Sequence, residues 1–139
     1  MGRSYLLALC SVLATPAAYP IDSAAQAIGY DNVHIRVADP AKAVEWYVKY
    51  MGATSTTPGQ VLFGKALIAI VKTTQPQPST GSVIDHIGIS YADLDAKMKD
   101  FEAGGAKILQ APREVQGLFK IGFIEDPWGV KIEVMQIPT

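Results

Sequence analysis

One sequence pattern occurs twice in this chain, and the duplication constrains the fold more than any other feature. In each copy a strand-like run is followed by an amphipathic helix that stops at a Gly-Ala pair. The only two histidines, His34 and His86, occupy equivalent places, 18 residues before Gly52 and 19 residues before Gly105. Two copies are too few for a solenoid, which needs at least three repeats. The pattern therefore predicts a fold of two similar halves.

The first copy has the pattern of a strand followed by a helix. Residues 30–37 alternate polar and apolar side chains, which is typical of a strand with one buried face. Asp39 is suited to the N-cap of a helix, and Pro40 to its first position, where the missing N–H is harmless. The helix should end near Gly52. Its apolar stripe comprises Val44, Tyr47, Val48 and Met51.

The second copy repeats this order and adds further strands. Ile87 and Ile89 share one strand face, and a helix follows around Phe101. Strand candidates after the two helices are 61–63 and 66–72 in the first copy, and 107–109, 119–125 and 130–136 in the second. Residues 126–129 form a type I turn sequence. We predict an α+β domain over 28–139, with module 1 at 28–73, a Pro- and Gln-rich linker at 74–82 and module 2 at 83–139.

The N-terminal 27 residues differ in composition from the rest. Arg3 precedes the apolar run 5–13, and Ala25-Gln26-Ala27 follows, which is the order of a secretory signal peptide. The apolar run is shorter than the ~20 residues that span a bilayer. We therefore expect a secreted or periplasmic protein with no membrane association after removal of residues 1–27. The alternative is an N-terminal helix or strand that belongs to the fold.

Composition and charge restrict the class of ligand. The 139 residues are 49% hydrophobic and 18% charged, as in a globular domain. The formal net charge is −1, and no cluster of Lys or Arg could neutralise a row of phosphates. These features exclude a nucleic-acid surface and predict a small-molecule ligand.

Three side chains are candidate metal ligands. His34 and His86 leave their strands on the face opposite the aliphatic residues, and Glu133 does the same on the last strand. Two imidazoles and a carboxylate form the facial triad, which leaves coordination positions free for substrate. Two alternatives are open. The histidines could be hydrogen-bonded structural residues, and Glu133 could be an exposed edge-strand residue beside Lys131.

Three segments of the sequence resemble the vicinal oxygen chelate superfamily, which includes glyoxalase I, extradiol dioxygenases, fosfomycin-resistance enzymes, methylmalonyl-CoA epimerase and bleomycin-resistance proteins. They are 33–40, 85–88 and 123–133, and the last contains the family's Asp-Pro-x-Gly-x-x-x-Glu pattern. The resemblance covers 29–137. It implies two βαβββ modules that form a cupped mixed β-sheet with the helices on its outer face. It also implies a homodimer and one divalent metal ion on His34, His86 and Glu133.

The resemblance also bears on the reaction. Many glyoxalases I have a fourth ligand, a glutamate on the last strand of module 1, and matching Gly129 to Gly64 places that position near Ile68, where there is no carboxylate. This argues against a lactoylglutathione lyase. The expected function is that of a metal-dependent lyase, isomerase or dioxygenase using Fe, Mn, Ni or Zn. Alternatives are a non-catalytic ligand-binding protein of the same fold and a structural protein with incidental histidines.

Other residues are candidates for substrate contacts. Arg36 shares a face with His34 and could clamp a carboxylate or phosphonate during catalysis, or form a salt bridge at the rim. Lys131 could steer anions or be simply solvated. Trp46 and Tyr50 lie off the helix stripe, and predict a subunit contact or a partly exposed aromatic pair. Further candidates for the cup wall are Asn32, Phe119, Ile121 and Phe123, although the last three could equally pack in the core.

Overall fold

A computed structural model describes residues 29–137 of the chain, so the predicted signal peptide lies outside the described residues. Over this range, no helix has the length and apolar character needed to cross a membrane. The elements in chain order are β1 (Asn32–Val37), α1 (Pro40–Lys49), β2 (Gln60–Phe63), β3 (Ala66–Lys72), β4 (Ile87–Ser90), α2 (Leu94–Ala103), β5 (Lys107–Val115), β6 (Phe119–Glu125) and β7 (Lys131–Gln136).

The strands form two sheets, one from each module. The first has the order β1-β3-β2, and the second has the order β4-β7-β6-β5. In both sheets the first and last strands of the module pair in parallel, while the remaining pairs are antiparallel. An isolated bridge between Thr54 and Leu62 occupies the place in module 1 that β5 fills in module 2. The predicted α+β fold is confirmed, with one strand of module 1 reduced to this bridge.

Both helices begin at an aspartate, as local sequence predicts for α1. The Asp39 side chain accepts a hydrogen bond from the Lys42 amide, and the Asp93 side chain accepts one from the Ala96 amide. Each bond satisfies an N–H in the first helical turn that has no partner within the helix. Asp39 lies two residues after the end of β1 and Asp93 three residues after the end of β4, so each helix starts shortly after its strand with the same kind of cap.

The buried side of α1 differs from the predicted stripe. Trp46 is buried, whereas Val48 is 40% exposed. The Trp46 indole N–H donates to the Gly104 carbonyl at 2.6 Å, and its ring meets the Trp128 ring edge-on at 5.8 Å between centroids. Both partners belong to module 2. The predictions of a subunit contact or an exposed pair are therefore wrong for Trp46, because the second module of the same chain covers it.

Asp126 joins the two modules in the core. It is 4% exposed, and one carboxylate oxygen accepts the Tyr47 hydroxyl of α1 at 2.7 Å. The other oxygen accepts the Trp128 and Val130 amides at 2.9 and 2.8 Å. Burial raises the pKa of both Asp126 and Tyr47. The Gly129 amide donates to the Asp126 carbonyl, as a type I turn requires, so Asp126 holds the turn that starts β7.

Candidate metal and substrate site

His86 and Glu133 come together across the parallel pair β4 and β7. Glu133 stands opposite Gly88 in the register, and His86 lies one residue before β4. The distance between His86 Nε2 and Glu133 Oε2 is 3.8 Å. Two donors that each lie about 2.1 Å from one ion can be at most about 4.2 Å apart. The two side chains therefore fit as neighbouring ligands of a single divalent ion.

His34 lies on β1, on its solvent-exposed face. His34 and His86 both line a cavity of about 280 Å³ between β1 and the linker. Within 29–137, no group of three or more His, Cys, Asp or Glu side chains is close enough to hold a metal. Within one chain, His86 and Glu133 are therefore in contact, and His34 lies in the wall of a cavity that His86 also lines. The triad of His34, His86 and Glu133 stays a prediction.

A larger cavity of about 870 Å³ lies beside the first, and Val33 and Ile87 line both. Gly88 lines the larger cavity, and Glu133 Oε2 lies 3.5 Å from the position that a Cβ at Gly88 would occupy. His86 therefore lines the smaller cavity, and Glu133 lies next to Gly88 in the wall of the larger one. The wall of the larger one is mostly apolar and includes Phe63, Leu67, Ile68, Tyr91 and Lys97.

Arg36 lines the smaller cavity with the two histidines. Its side chain is exposed, and it forms no ion pair with any residue that the structure describes. The guanidinium is therefore available to a ligand, and its planar fork matches a carboxylate or phosphonate. The alternative of a salt bridge at the rim is not seen among these residues.

Lys131 differs from the expected solvated lysine. Its ammonium group donates to Asp85 Oδ1 at 2.6 Å and lies 5.1 Å from the centroid of the Phe123 ring. The Phe123 ring in turn meets the His86 imidazole edge-on at 5.5 Å. Lys131 thus belongs to a packed group around His86, where its charge is already partly compensated.

The structure separates the remaining candidates into two sets. Phe123 and Ile121 face the same side as Glu133, because they stand opposite Glu133 and Met135 on neighbouring strands. Phe119 lies farther away, at the β5–β6 hairpin, where it lines a separate cavity of about 180 Å³. Asn32 donates its amide to Asp31 and lines neither cavity beside His86.

The position predicted for a fourth ligand is corrected by the strand register. Ile68 is buried beneath α1, so it lies on the wrong face of β3. On β7, Glu133 pairs with Gly88, which is two residues after His86. The corresponding residue on β1 is Arg36, two residues after His34, and it pairs with Val71 on β3. Val71 carries no carboxylate either. The prediction that β3 supplies no fourth carboxylate ligand is therefore unchanged at the corrected position.

Sequence reasoning missed Asp85. Its Oδ1 lies 3.0 Å from His86 Nδ1 and accepts the Lys131 ammonium, while its Oδ2 accepts the Gly81 amide at 2.9 Å. These bonds, the Gly81 amide first, hold the pKa of the Asp85 carboxyl far below its usual value. Consecutive residues of a strand point to opposite faces, so strand periodicity gives no signal for a contact between Asp85 and His86. Both residues precede β4, so that rule does not apply to them.

The two sheets, each with a helix and with its first and last strands paired in parallel, define a class of duplicated α+β proteins. Residues 29–134 match the model of the Glyoxalase/Bleomycin resistance protein/Dioxygenase superfamily. The chain belongs to this superfamily, which confirms the family resemblance of the sequence. No sequence among the curated proteins matches the chain.

Solved structures share the fold at low sequence identity. The fosfomycin resistance protein FosX from Listeria monocytogenes is 18% identical with a TM-score of 0.67, over 81% of this chain and 96% of that one. TioX from Micromonospora sp. ML1 is 19% identical with a TM-score of 0.59, over 79% and 99%. A superfamily enzyme from Burkholderia phytofirmans PsJN is 14% identical with a TM-score of 0.62, over 78% and 98%. These similarities support the fold alone.

Proposed function

We propose that this protein is a divalent-metal-dependent enzyme acting on a small substrate that chelates the ion through two adjacent oxygens. His34, His86 and Glu133 would hold the ion. The observation that carries the proposal is the 3.8 Å approach of His86 Nε2 to Glu133 Oε2, beside a cavity that His34 also lines. This donor set accepts Fe, Mn, Ni or Zn.

The residues around the pair suit a small anionic substrate. A bound ion would act as a Lewis acid that stabilises negative charge on the substrate oxygens. Arg36 would bind a carboxylate or phosphonate group of the substrate, because its guanidinium has no ion-pair partner among residues 29–137. Phe123 and Ile121 provide apolar surface on the Glu133 face. Glu133 and Arg36 are the candidate catalytic residues.

A second candidate is a non-catalytic ligand-binding protein of the same fold. The observation that favours it is that no three potential ligands cluster among the described residues of one chain. Such a protein would use the two cavities to sequester its ligand and would need no ion. Metal content therefore separates the two candidates.

Metal analysis of untagged protein tests the proposal. We expect about one ion per chain, the stoichiometry of a single triad. Retention should fall as the pH is lowered, because imidazole and carboxylate ligands must lose their protons to bind. The measurement is metal content after dialysis at a series of pH values. Retention that is unchanged from about pH 8 to about pH 4 would exclude imidazole ligation.

Reconstitution of the protein with metal then tests which class of substrate it acts on. Metal-free protein is loaded anaerobically with iron, manganese, nickel or zinc and assayed with catechols, 2-oxoaldehydes and phosphonates. Each substrate class carries two oxygens that can reach one ion, and each reports a different reaction. Turnover of any of them by the loaded protein supports the enzyme, whereas stoichiometric binding without turnover in metal-free protein supports the sequestering protein.

We further propose that the mature protein is a secreted or periplasmic homodimer. The proposal of pairing is supported by partly exposed apolar residues on the Glu133 face of module 2, namely Phe119, Ile121, Phe123 and Met135. Light scattering of protein recovered from the export compartment should give twice the mass of a chain that lacks residues 1–27. Recovery only from the cytoplasm with residues 1–27 intact would contradict export, and the mass of one chain would contradict pairing.

A further inference from the structure

In the hydrogen bond between Asp85 and His86, the donor is fixed. An ionised carboxylate accepts hydrogen bonds and has no hydrogen to donate. The 3.0 Å contact from Asp85 Oδ1 to His86 Nδ1 therefore requires the imidazole proton to be on Nδ1. In a neutral imidazole, Nε2 is then left with a lone pair.

The other imidazole nitrogen faces the candidate ligand Glu133. The 3.8 Å between His86 Nε2 and Glu133 Oε2 is too long for a hydrogen bond. The Phe123 ring packs edge-on against the imidazole, with 5.5 Å between the ring centroids. The unprotonated nitrogen is thus directed to the place where an ion would also meet Glu133.

Asp85 is itself held in place from two other parts of the fold. The Lys131 ammonium of β7 donates to Oδ1 at 2.6 Å, and the Gly81 amide of the linker donates to Oδ2 at 2.9 Å. Ser79 fixes the linker nearby, because its hydroxyl donates to the Asp85 carbonyl and accepts the Lys131 amide. With these partners in place, the carboxylate stays directed at His86 Nδ1.

We propose that Asp85 is a positioning residue that sets the His86 tautomer, placing the proton on Nδ1 and keeping Nε2 free to bind a cation. Its effect on metal affinity rests on the proposed function, whereas the tautomer is a property of the metal-free chain. Carboxylates that orient ligand histidines contribute about 10–100-fold to metal affinity. Asp85 should contribute within this range.

The test is the tautomer of His86 in metal-free, ¹⁵N-labelled full-length protein, read from the imidazole nitrogen shifts at about pH 8. We expect the proton on Nδ1 in the wild type and a shift of population towards Nε2–H in Asp85→Ala. Asp85→Asn keeps an oxygen that can accept from Nδ1 and should restore the wild-type tautomer. Glu114→Ala is the matched control, because it removes an exposed carboxylate on β5 that takes no part in the contacts around His86.

Calorimetric titration with zinc completes the test. We expect Asp85→Ala to bind about 10–100-fold more weakly than the wild type, and Asp85→Asn to fall between them. A wild-type proton on Nε2, or unchanged tautomer populations in Asp85→Ala, would overturn the inference. So would a tautomer shift in Glu114→Ala as large as in Asp85→Ala. A wild-type chain that keeps the Nδ1 proton yet binds no metal would overturn the proposed function and support the tautomer assignment.

Discussion

Replacement of Asp126 by alanine is expected to lower the free energy of unfolding by about 3 kcal/mol or more. The substitution leaves the amides of Trp128 and Val130 and the hydroxyl of Tyr47 without their acceptor. These groups are partly or fully buried, and each buried polar group without a partner costs about 1–3 kcal/mol. Urea denaturation followed by tryptophan fluorescence measures the loss.

Two variants show which property of Asp126 is responsible. Burial raises the pKa of Asp126, so keeping its charge in the core has a cost that asparagine removes. Asp126→Asn also keeps an oxygen for both turn amides and should lose less than half as much stability as alanine. Asp93→Ala removes an exposed cap with one hydrogen bond, and should cost about 1 kcal/mol. If Asp126→Ala cost no more than Asp93→Ala, Asp126 would not be the link between the modules.

Loss of any one of the three proposed ligands is expected to weaken metal binding by at least about 100-fold, which exceeds the effect of a residue that only orients a ligand. The variants are His34→Ala, His86→Ala and Glu133→Ala, titrated with zinc by calorimetry. Each removes one of three donors from the ion. Glu114→Ala is the control, since Glu114 is an exposed carboxylate on β5 and should bind zinc as the wild type does.

The pattern across the three variants is more informative than any one of them. Unchanged affinity in all three would exclude the triad and the enzyme proposal with it. If only His34→Ala bound normally, the site would consist of the His86–Glu133 pair, and the assignment of His34 would be wrong. Circular dichroism of each variant checks the fold. We expect it to persist, because all three side chains lie outside the buried core.

Local sequence predicted the features that depend on neighbouring residues. The alternation in β7 placed Ile132 and Val134 in the core and Glu133 on the opposite face, and the structure agrees. Asp39 and Pro40 began α1 as expected. These predictions succeed because strand periodicity and helix capping act over one to four residues, whatever the rest of the chain does.

The register between neighbouring strands could not be predicted from these local patterns. The fourth-ligand position was assigned near Ile68 by matching glycines, whereas the pairing of β1 with β3 places it at Val71. A shift of an odd number of residues moves a side chain to the other face of the sheet. Sequence alone does not specify that register, because it depends on how β1 meets a strand about 35 residues away.

By itself, the sequence determined that the chain is a duplicated α+β domain of this superfamily, and which side chains leave the strands on the polar face. Tertiary structure decided that Trp46 is covered by the second module, that His86 and Glu133 meet, and that Asp85 holds the imidazole. The physical reason is distance along the chain: 58 residues separate the partners of the Trp46 bond, and 46 those of the bond from Lys131 to Asp85. The Trp46 bond forms only when the two modules pack together, and the bond from Lys131 to Asp85 only when the first and last strands of module 2 are brought side by side, which no local pattern encodes.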